Sequence, residues 1–207
     1  MNKYNRDAII IVISNPVDVI TQAFMKYTGR PKNKVIGTGT LLDTARLRRA
    51  VAEMLDMRPE NVTAYVLGEH GDSSCIIWSW SRILGLNLEE FINMDLPENM
   101  EIKREKLSQT IRRAGTKIFI NKGSTSFGVA SAAAKIVDAI IYDTGEILPV
   151  STYLEGEYGI KDISLSLPCI VNADGAFAIC NVDMTDEELS QLHESAEIIR
   201  RAIGDLL

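Results

Sequence analysis

The chain has 207 residues, 46% of them hydrophobic and 24% charged, with 22 Lys and Arg against 28 Asp and Glu for a net charge of −6. This is an ordinary globular composition, long enough to bury a substantial core, and its acidic balance argues against a general binder of nucleic acid or of anionic membranes, both of which need concentrated cations. Cys75, Cys169 and Cys180 are odd in number and lack metal-type spacing, no apolar run reaches membrane-spanning length, and the short apolar core at 8–13 leads into Asn15-Pro16 rather than a small-residue cleavage site, so a soluble, reduced, cytoplasmic protein is expected.

In chain order, the β-branched run at 9–13 predicts a strand buried on both faces, as in a parallel α/β sheet. Asn15-Pro16 reads as N-cap and first helical residue, and Val17, Ile20, Ala23, Phe24 and Tyr27 keep helical spacing until Gly29 and Pro31. A short strand at 34–37 is followed by Thr40-Leu41-Leu42-Asp43, a capping box opening a helix to about Met57. Asp43 and Arg46, three apart, share one face of that helix. A strand at 62–67 runs into Leu67-Gly68-Glu69-His70-Gly71-Asp72-Ser73, and 76–80 forms a short apolar piece. The spacing of Ile102, Leu107, Ile111, Ala114 and Ile118 predicts an amphipathic helix over 99–121, closed by Lys122-Gly123, with a second, alanine-rich helix over 126–142. Strands at 163–171 and 176–182 flank the hairpin-type turn Asn172-Ala173-Asp174-Gly175, and Pro168 signals an edge or a bulge. Thr185 with Glu188 opens a final helix whose apolar face is Leu189, Leu192, Ala196, Ile199 and Ile203. The pattern is α/β (α+β), and its doubly buried opening strand has no preceding βαβ unit to pair with.

Gly37-Thr38-Gly39-Thr40-Leu41-Leu42 begins like G-x-G-x-x-G, but leucine stands at the third glycine position and no Lys-Ser/Thr follows, so neither dinucleotide nor P-loop motif is present. Two histidines without metal spacing and no cysteine pair imply no metal site, and no G-x-S-x-G elbow supports a serine hydrolase. His70 lies beyond the carboxyl end of a strand, where α/β proteins collect ligands. It is either a polar residue closing a glycine-rich turn or a proton donor and acceptor, and the second role needs a carboxylate to fix its tautomer, which Asp43 can supply. Arg46 is either a solvated residue of a basic face or a bidentate clamp for a carboxylate. Asn15 reads as a cap or a ligand contact at a strand end, and Thr125 as a helix-start residue or a pocket residue.

Four segments taken together, Ser14-Asn15-Pro16-Val17-Asp18, VIGTGTLLDTAR from Val35 to Arg46, GEHGDS from Gly68 to Ser73, and Lys122-Gly123-Ser124-Thr125-Ser126, resemble in order and spacing the L-lactate/malate dehydrogenase family, nearest its bacterial L-lactate and L-2-hydroxyisocaproate members. The resemblance implies the last part of a Rossmann domain at 1–36, followed at 37–207 by the substrate-binding C-terminal domain of helices and antiparallel strands. It further implies His70 as proton donor and acceptor at the substrate C2 oxygen, with Asp43 stabilising its imidazolium. Arg46 would pair with the substrate carboxylate, Asn15 would lie between nicotinamide and substrate, and Thr125 would line the pocket. Ile13, Ser14, Asn15 and Thr38 would contact NAD, the implied cofactor. The implied reaction is reversible reduction of a 2-oxo acid, most simply pyruvate to L-lactate, with hydroxyisocaproate or malate dehydrogenase as the alternatives. A homo-oligomer is implied, with no nucleic acid or membrane partner. The family's cofactor loop, its ribose-binding acid and its mobile loop belong to the third of its length that precedes these motifs. The 207 residues alone are therefore expected to be catalytically silent, and a non-catalytic remnant or assembly module is the competing reading. Arg48 matches an arginine of a fructose 1,6-bisphosphate site found in some bacterial members, but Thr63 stands at the matching histidine position, so that regulation is not expected.

Overall fold

A computed structural model describes residues 4–94, 104–180 and 182–204. In chain order it contains β1 (Ile10–Val12), α1 (Val17–Thr28), β2 (Val35–Gly37), α2 (Leu41–Met54), β3 (Val62–Thr63), β4 (Val66–Leu67), β5 (Cys75–Ile76), β6 (Arg82–Ile83), β7 (Leu86–Asn87), α3 (Leu88–Ile92), α4 (Arg104–Lys122), α5 (Phe127–Ile141), β8 (Glu146–Glu155), β9 (Lys161–Asn172), β10 (Gly175–Ala178) and α6 (Asp186–Gly204). The main sheet has the order β1-β2-β8-β9-β10. β1 and β2 are parallel, with Ile11 opposite Ile36, and the remaining pairs are antiparallel. β3, β6 and β7 form a small second sheet, and β4 and β5 a two-stranded ribbon.

The long β8–β9 hairpin is the frame of the molecule. One face carries Leu148, Val150, Cys169 and Val171 into a core with Ala132, Ile136 and Ala139 of α5. Further along that face, Leu154, Ile163, Leu165 and Leu167 meet Leu192, Ala196 and Ile199 of α6. The opposite face is polar and short: Ser151, Ser164 and Ser166 are all 0% exposed. Small side chains there let backbone come close. A Cβ on Gly37 would stand 2.5 Å from Thr21 Oγ1 and 2.9 Å from Ser151 Cβ, and one on Gly39 would stand 2.6 Å from the Ser151 nitrogen. Gly37 therefore serves close approach to α1 and β8, and Gly39, which also holds a left-handed φ of +50°, close approach to β8 and β9.

Several elements differ from their sequence-derived forms. Asn15 is not the cap of α1: Pro16 occupies that position in an extended conformation, and Asn15 is exposed one residue before it. Thr40 caps α2 by position, but no capping box closes, because the Thr40 hydroxyl donates to the Val66 carbonyl and Asp43 is drawn elsewhere. The expected strand at 62–67 is split into β3 and β4, with Arg48 bonding the Ala64 carbonyl and Ile77 the Tyr65 carbonyl between them. β8 has no sequence-derived counterpart. Pro168 is on neither an edge nor a bulge. It pairs with Pro149 inside the hairpin, and the β10 ladder ends one rung earlier, at Ala178 opposite Cys169, where a proline nitrogen leaves no donor unused. The Thr185–Glu188 capping box does form, at 3.1 and 3.2 Å. The expected start of the helix at 99, with Ile102, lies outside the described residues, as does position 181 of the expected strand at 176–182; β10 ends at Ala178.

Gly39→Ala is expected to lower unfolding stability by about 2–4 kcal/mol, combining overpacking with a left-handed backbone. Gly145→Ala, at φ +63° with open space around it, should lose only about 1 kcal/mol. Urea unfolding followed by circular dichroism compares them, and equal losses would contradict the close-approach role of Gly39.

Candidate active site

The site is built on the loop between β4 and β5, residues 68–74. Gly68 exchanges backbone hydrogen bonds with Ser166 of β9 at 3.0 and 3.1 Å, pinning the loop to the sheet. Its φ of +87° and the Ser195 hydroxyl, which a Cβ would approach to 2.7 Å, leave room for glycine alone. The Glu69 N–H donates to Ser195 Oγ at 2.7 Å, and the Ser73 hydroxyl donates to the Glu69 carboxylate, so the loop is closed on itself and held by α6.

α2 is fastened to the same ribbon. The Thr40 hydroxyl donates to the Val66 carbonyl, and the Val66 N–H donates to Thr44 Oγ1 at 2.9 Å. These bonds set the first turn of α2 against the root of the loop, and Asp43 faces His70. The His70 Nδ1–Asp43 Oδ2 hydrogen bond is 2.6 Å, and Arg46 Nη1 donates to Asp43 Oδ1 at 3.0 Å. Asp43 is buried, and each of its oxygens has a cationic or hydrogen-bonding partner, which offsets the cost of burying it. With Nδ1 committed to Asp43, Nε2 is the ring atom left to exchange a proton. Burial by itself lowers the imidazole pKa. The Asp43 hydrogen bond and charge, joined by the charge of Asp18, outweigh burial and the opposing Arg46, so His70 is held above the usual histidine value.

A cleft of about 630 Å³ opens on this cluster, and Asn15, Asp43, Arg46, His70 and Thr125 all line it. Five of the residues singled out in the sequence, spread over four segments, are thus brought together. Ile13 and Ser14 are exposed on the segment running from β1 to Asn15. Thr38 is buried at the end of β2, donating its N–H to the Val12 carbonyl at 2.9 Å, and does not line the cleft. A second cleft, of about 690 Å³, carries Arg82, Arg104 and Glu188 but no histidine; Arg82 and Glu188 are already bonded to Ser79, and Arg104 to Glu89. Among the described residues no group of three His, Cys, Asp or Glu side chains could hold a metal.

Two residues of the site escaped the sequence reading. Arg112 lines the cleft and donates to the Ser74 carbonyl at 2.8 Å; it follows Ile111 of the apolar stripe and reads as one of several cations on a solvated face. Asp18 is 2% exposed and accepts the His70 backbone N–H on Oδ2 at 2.8 Å. In sequence it is an acidic residue in the first turn of a helix, which the helix dipole explains without a further role.

Comparison with known proteins agrees with this geometry. The alpha/beta C-terminal domain of lactate/malate dehydrogenase matches residues 40–206, and the NAD-binding domain of the same family matches residues 1–37. The chain is 41% identical over 204 residues to an L-lactate dehydrogenase of Acetivibrio thermocellus and 39% identical over 203 to one of Clostridium botulinum, covering 99% and 98% of this chain. It spans 64% of the length of each. Among solved structures it resembles an L-lactate dehydrogenase from Clostridium thermocellum with a TM-score of 0.89 at 37% identity, over 99% of this chain and 67% of that one. A minor L-lactate dehydrogenase from Enterococcus mundtii superposes with a TM-score of 0.89 at 35% identity, over 97% of this chain and 64% of that one. With both domain models matched in order and the His70 cluster in one cleft, the chain belongs to the lactate/malate dehydrogenase family.

Proposed function

We propose that this chain carries the substrate-binding and proton-transfer part of an NAD-dependent L-2-hydroxy acid dehydrogenase, acting as an L-lactate dehydrogenase on pyruvate and L-lactate. The observation that carries the reading is the Arg46–Asp43–His70 chain of hydrogen bonds opening on a cleft. Relatives covering nearly all of this chain are named L-lactate dehydrogenases. Residues 1–36 are assigned to the NAD-binding domain and 37–207 to the substrate domain.

In reduction, Arg46 spends Nη1 on Asp43 and offers its remaining N–H groups to the substrate carboxylate, setting the C2 oxygen before His70. His70, protonated, gives its Nε2 proton to that oxygen, and Asp43 holds the ring and stabilises the cation before transfer. In the reverse direction neutral His70 takes the proton back. Thr125, which lines the cleft, would bound the substrate pocket. The carboxyl end of β1 fits the nicotinamide end of NAD, because Ile13 is a large apolar side chain left 46% exposed there and Asn15 continues it into the cleft. Ile13, Ser14 and Asn15 would hold that end, with Thr38, buried just past β2 and off the cleft, reaching it only from beneath, and NAD when bound would supply the hydride chemistry. We further propose a cytoplasmic homo-oligomer, its contact surface drawn from the apolar side chains of Phe127, Ile141 and Tyr142 that stand exposed.

The test joins this chain to the preceding NAD-binding segment of the Acetivibrio relative and follows NADH oxidation with pyruvate, oxaloacetate and 2-oxoisocaproate. The extended protein should turn over pyruvate best, the 207 residues alone should be silent, and His70→Asn should lose about 100-fold or more in kcat, the scale of general acid–base catalysis. Turnover by the bare chain, or a fully active His70→Asn protein, would refute the proposal. Fructose 1,6-bisphosphate should leave the apparent KM for pyruvate unchanged, since Arg48 is bonded to the Ala64 carbonyl and stacked 5.1 Å over Tyr65.

The raised His70 pKa sets the pH dependence. The protonated form needed for reduction persists above the ordinary histidine midpoint and is lost as pH rises through the folded value. Asp43→Asn removes the main raising contribution, so the decline in reduction should begin at lower pH. With only His70 and His193 in the chain, imidazole NMR titration can follow the same shift directly.

A further inference from the structure

Behind the loop, on the side away from the cleft, lies a second carboxylate that the proposed reaction does not use. Asp18 sits in the first turn of α1, 2% exposed, and its Oδ2 accepts the backbone N–H of His70 at 2.8 Å. Its Oδ1 and the hydroxyl of Ser151 on β8 are both buried, near enough for the hydroxyl to act on the carboxyl but short of a well-formed hydrogen bond. His70 is thus gripped at two points by two acids from different helices, its ring by Asp43 of α2 and its backbone by Asp18 of α1.

We propose that Asp18 is a positioning residue for His70, holding the backbone of the loop from the buried side while its negative charge faces the imidazole. The proposal rests on the dehydrogenase reading for its catalytic consequence and on geometry for the rest. A bond to the His70 N–H fixes the loop at the residue whose ring must meet the substrate oxygen, where small displacements are costly in rate. The same bond joins α1, which leads out of the exposed Ile13–Asn15 segment, to the proton-transfer loop, so the two sides of the proposed site share one anchor.

The choice of acid over amide is informative. Burial pushes the Asp18 pKa up to about 6, against the Ser151 hydroxyl, the His70 amide and the His70 charge, with Glu69 adding to the rise. A carboxyl raised above its unfolded value is a cost to the fold at pH above about 6, relieved only as it protonates below. Asparagine would accept the same N–H without that cost, so anchoring alone does not call for a charge. What the charge does is visible on His70, where Asp18 adds to the rise produced by Asp43. The groups facing the pair are few: the loop presents Glu69 and His70, β8 presents Ser151, α2 presents Asp43 and Arg46 to His70, and α6 presents Ser195 to the Glu69 N–H.

Two variants separate anchor from charge in the 207-residue chain. Asp18→Asn keeps an acceptor and removes the charge; Asp18→Ala removes both. By NMR, Asp18→Asn should retain slow exchange of the His70 amide while its imidazole midpoint falls by about 0.5 pH unit or more. Asp18→Ala should lower the midpoint and also speed His70 amide exchange about 10-fold or more. A midpoint in Asp18→Asn within about 0.2 unit of the parent, or unchanged amide exchange in Asp18→Ala, would overturn the proposal. Should Asp18→Ala fail to fold, the parent chain decides that arm: the Asp18 carboxyl carbon and the His70 amide nitrogen should share an inflection near pH 6, and its absence counts against the proposal. In the extended protein, Asp18→Asn should lower kcat for pyruvate reduction and move its alkaline limit to lower pH, with KM little changed. If the extended parent is inactive, the dehydrogenase reading falls while the NMR arms still decide Asp18.

Discussion

The site depends on the two hydrogen bonds by which α2 grips a single residue of β4. Val66 gives its carbonyl to Thr40 and its N–H to Thr44, one turn apart on the helix. Those bonds stand in for the side-chain cap of α2 and engage Val66 alongside its pairing with β5, and they turn the helix face between them toward the loop. Asp43 lies on that face. Its 2.6 Å contact with His70 follows from helix geometry once Thr40 and Thr44 are docked. Arg46, one turn further along, reaches the other carboxylate oxygen for the same reason.

That placement also resolves an electrostatic problem. A carboxylate as buried as Asp43 costs several kcal/mol in desolvation unless both oxygens are engaged, and here an imidazole takes one and a guanidinium the other. The arrangement is therefore mutually dependent. Arg46 holds one oxygen of Asp43, and Asp43 holds His70 above its ordinary pKa even though burial and Arg46 both pull the other way. Charge that is fixed before a ligand arrives needs little reorganisation during proton transfer, which is the physical content of a preorganised site.

The sequence made the helices and the chemistry more legible than the sheet. Periodic apolar spacing placed α1, α5 and α6, and the Thr185–Glu188 box marked the start of α6 within one residue. β8 stayed hidden because Pro149 interrupts its pattern and Ser151 and Thr152 are polar residues that nevertheless face buried space. The split of 62–67 into β3 and β4 could not be read from a run that looks uniform, since it is decided by Arg48 and Ile77 bonding the backbone between them. In the site, His70, Asp43 and Arg46 stood out because glycine-rich surroundings and helical spacing gave them local context. Asp18 and Arg112 did not, because each has a sufficient local explanation and acquires its partner only through tertiary contact, 52 residues away for Asp18 and 38 for Arg112.

The serine face of the β8–β9 hairpin explains why so many segments converge at one point. Ser151, Ser164 and Ser166 are small enough to admit neighbouring segments, and Ser164 and Ser166 are polar enough to bond them. Ser166 accepts the Thr40 N–H on its side chain and exchanges backbone bonds with Gly68, so one residue of β9 registers both α2 and the loop. Ser164 donates to Gln22 of α1, and Ser151 lies against Gly37 and Asp18. Larger apolar side chains on this face would stabilise a core but separate the three elements by the width of a side-chain layer, and Asp43, Asp18 and His70 would no longer be within hydrogen-bond reach. A buried polar face is costly unless satisfied, and the bonds that Ser164 and Ser166 make here are what align the site. The proton-transfer geometry is thus a property of the hairpin's sequence as much as of the residues that line the cleft.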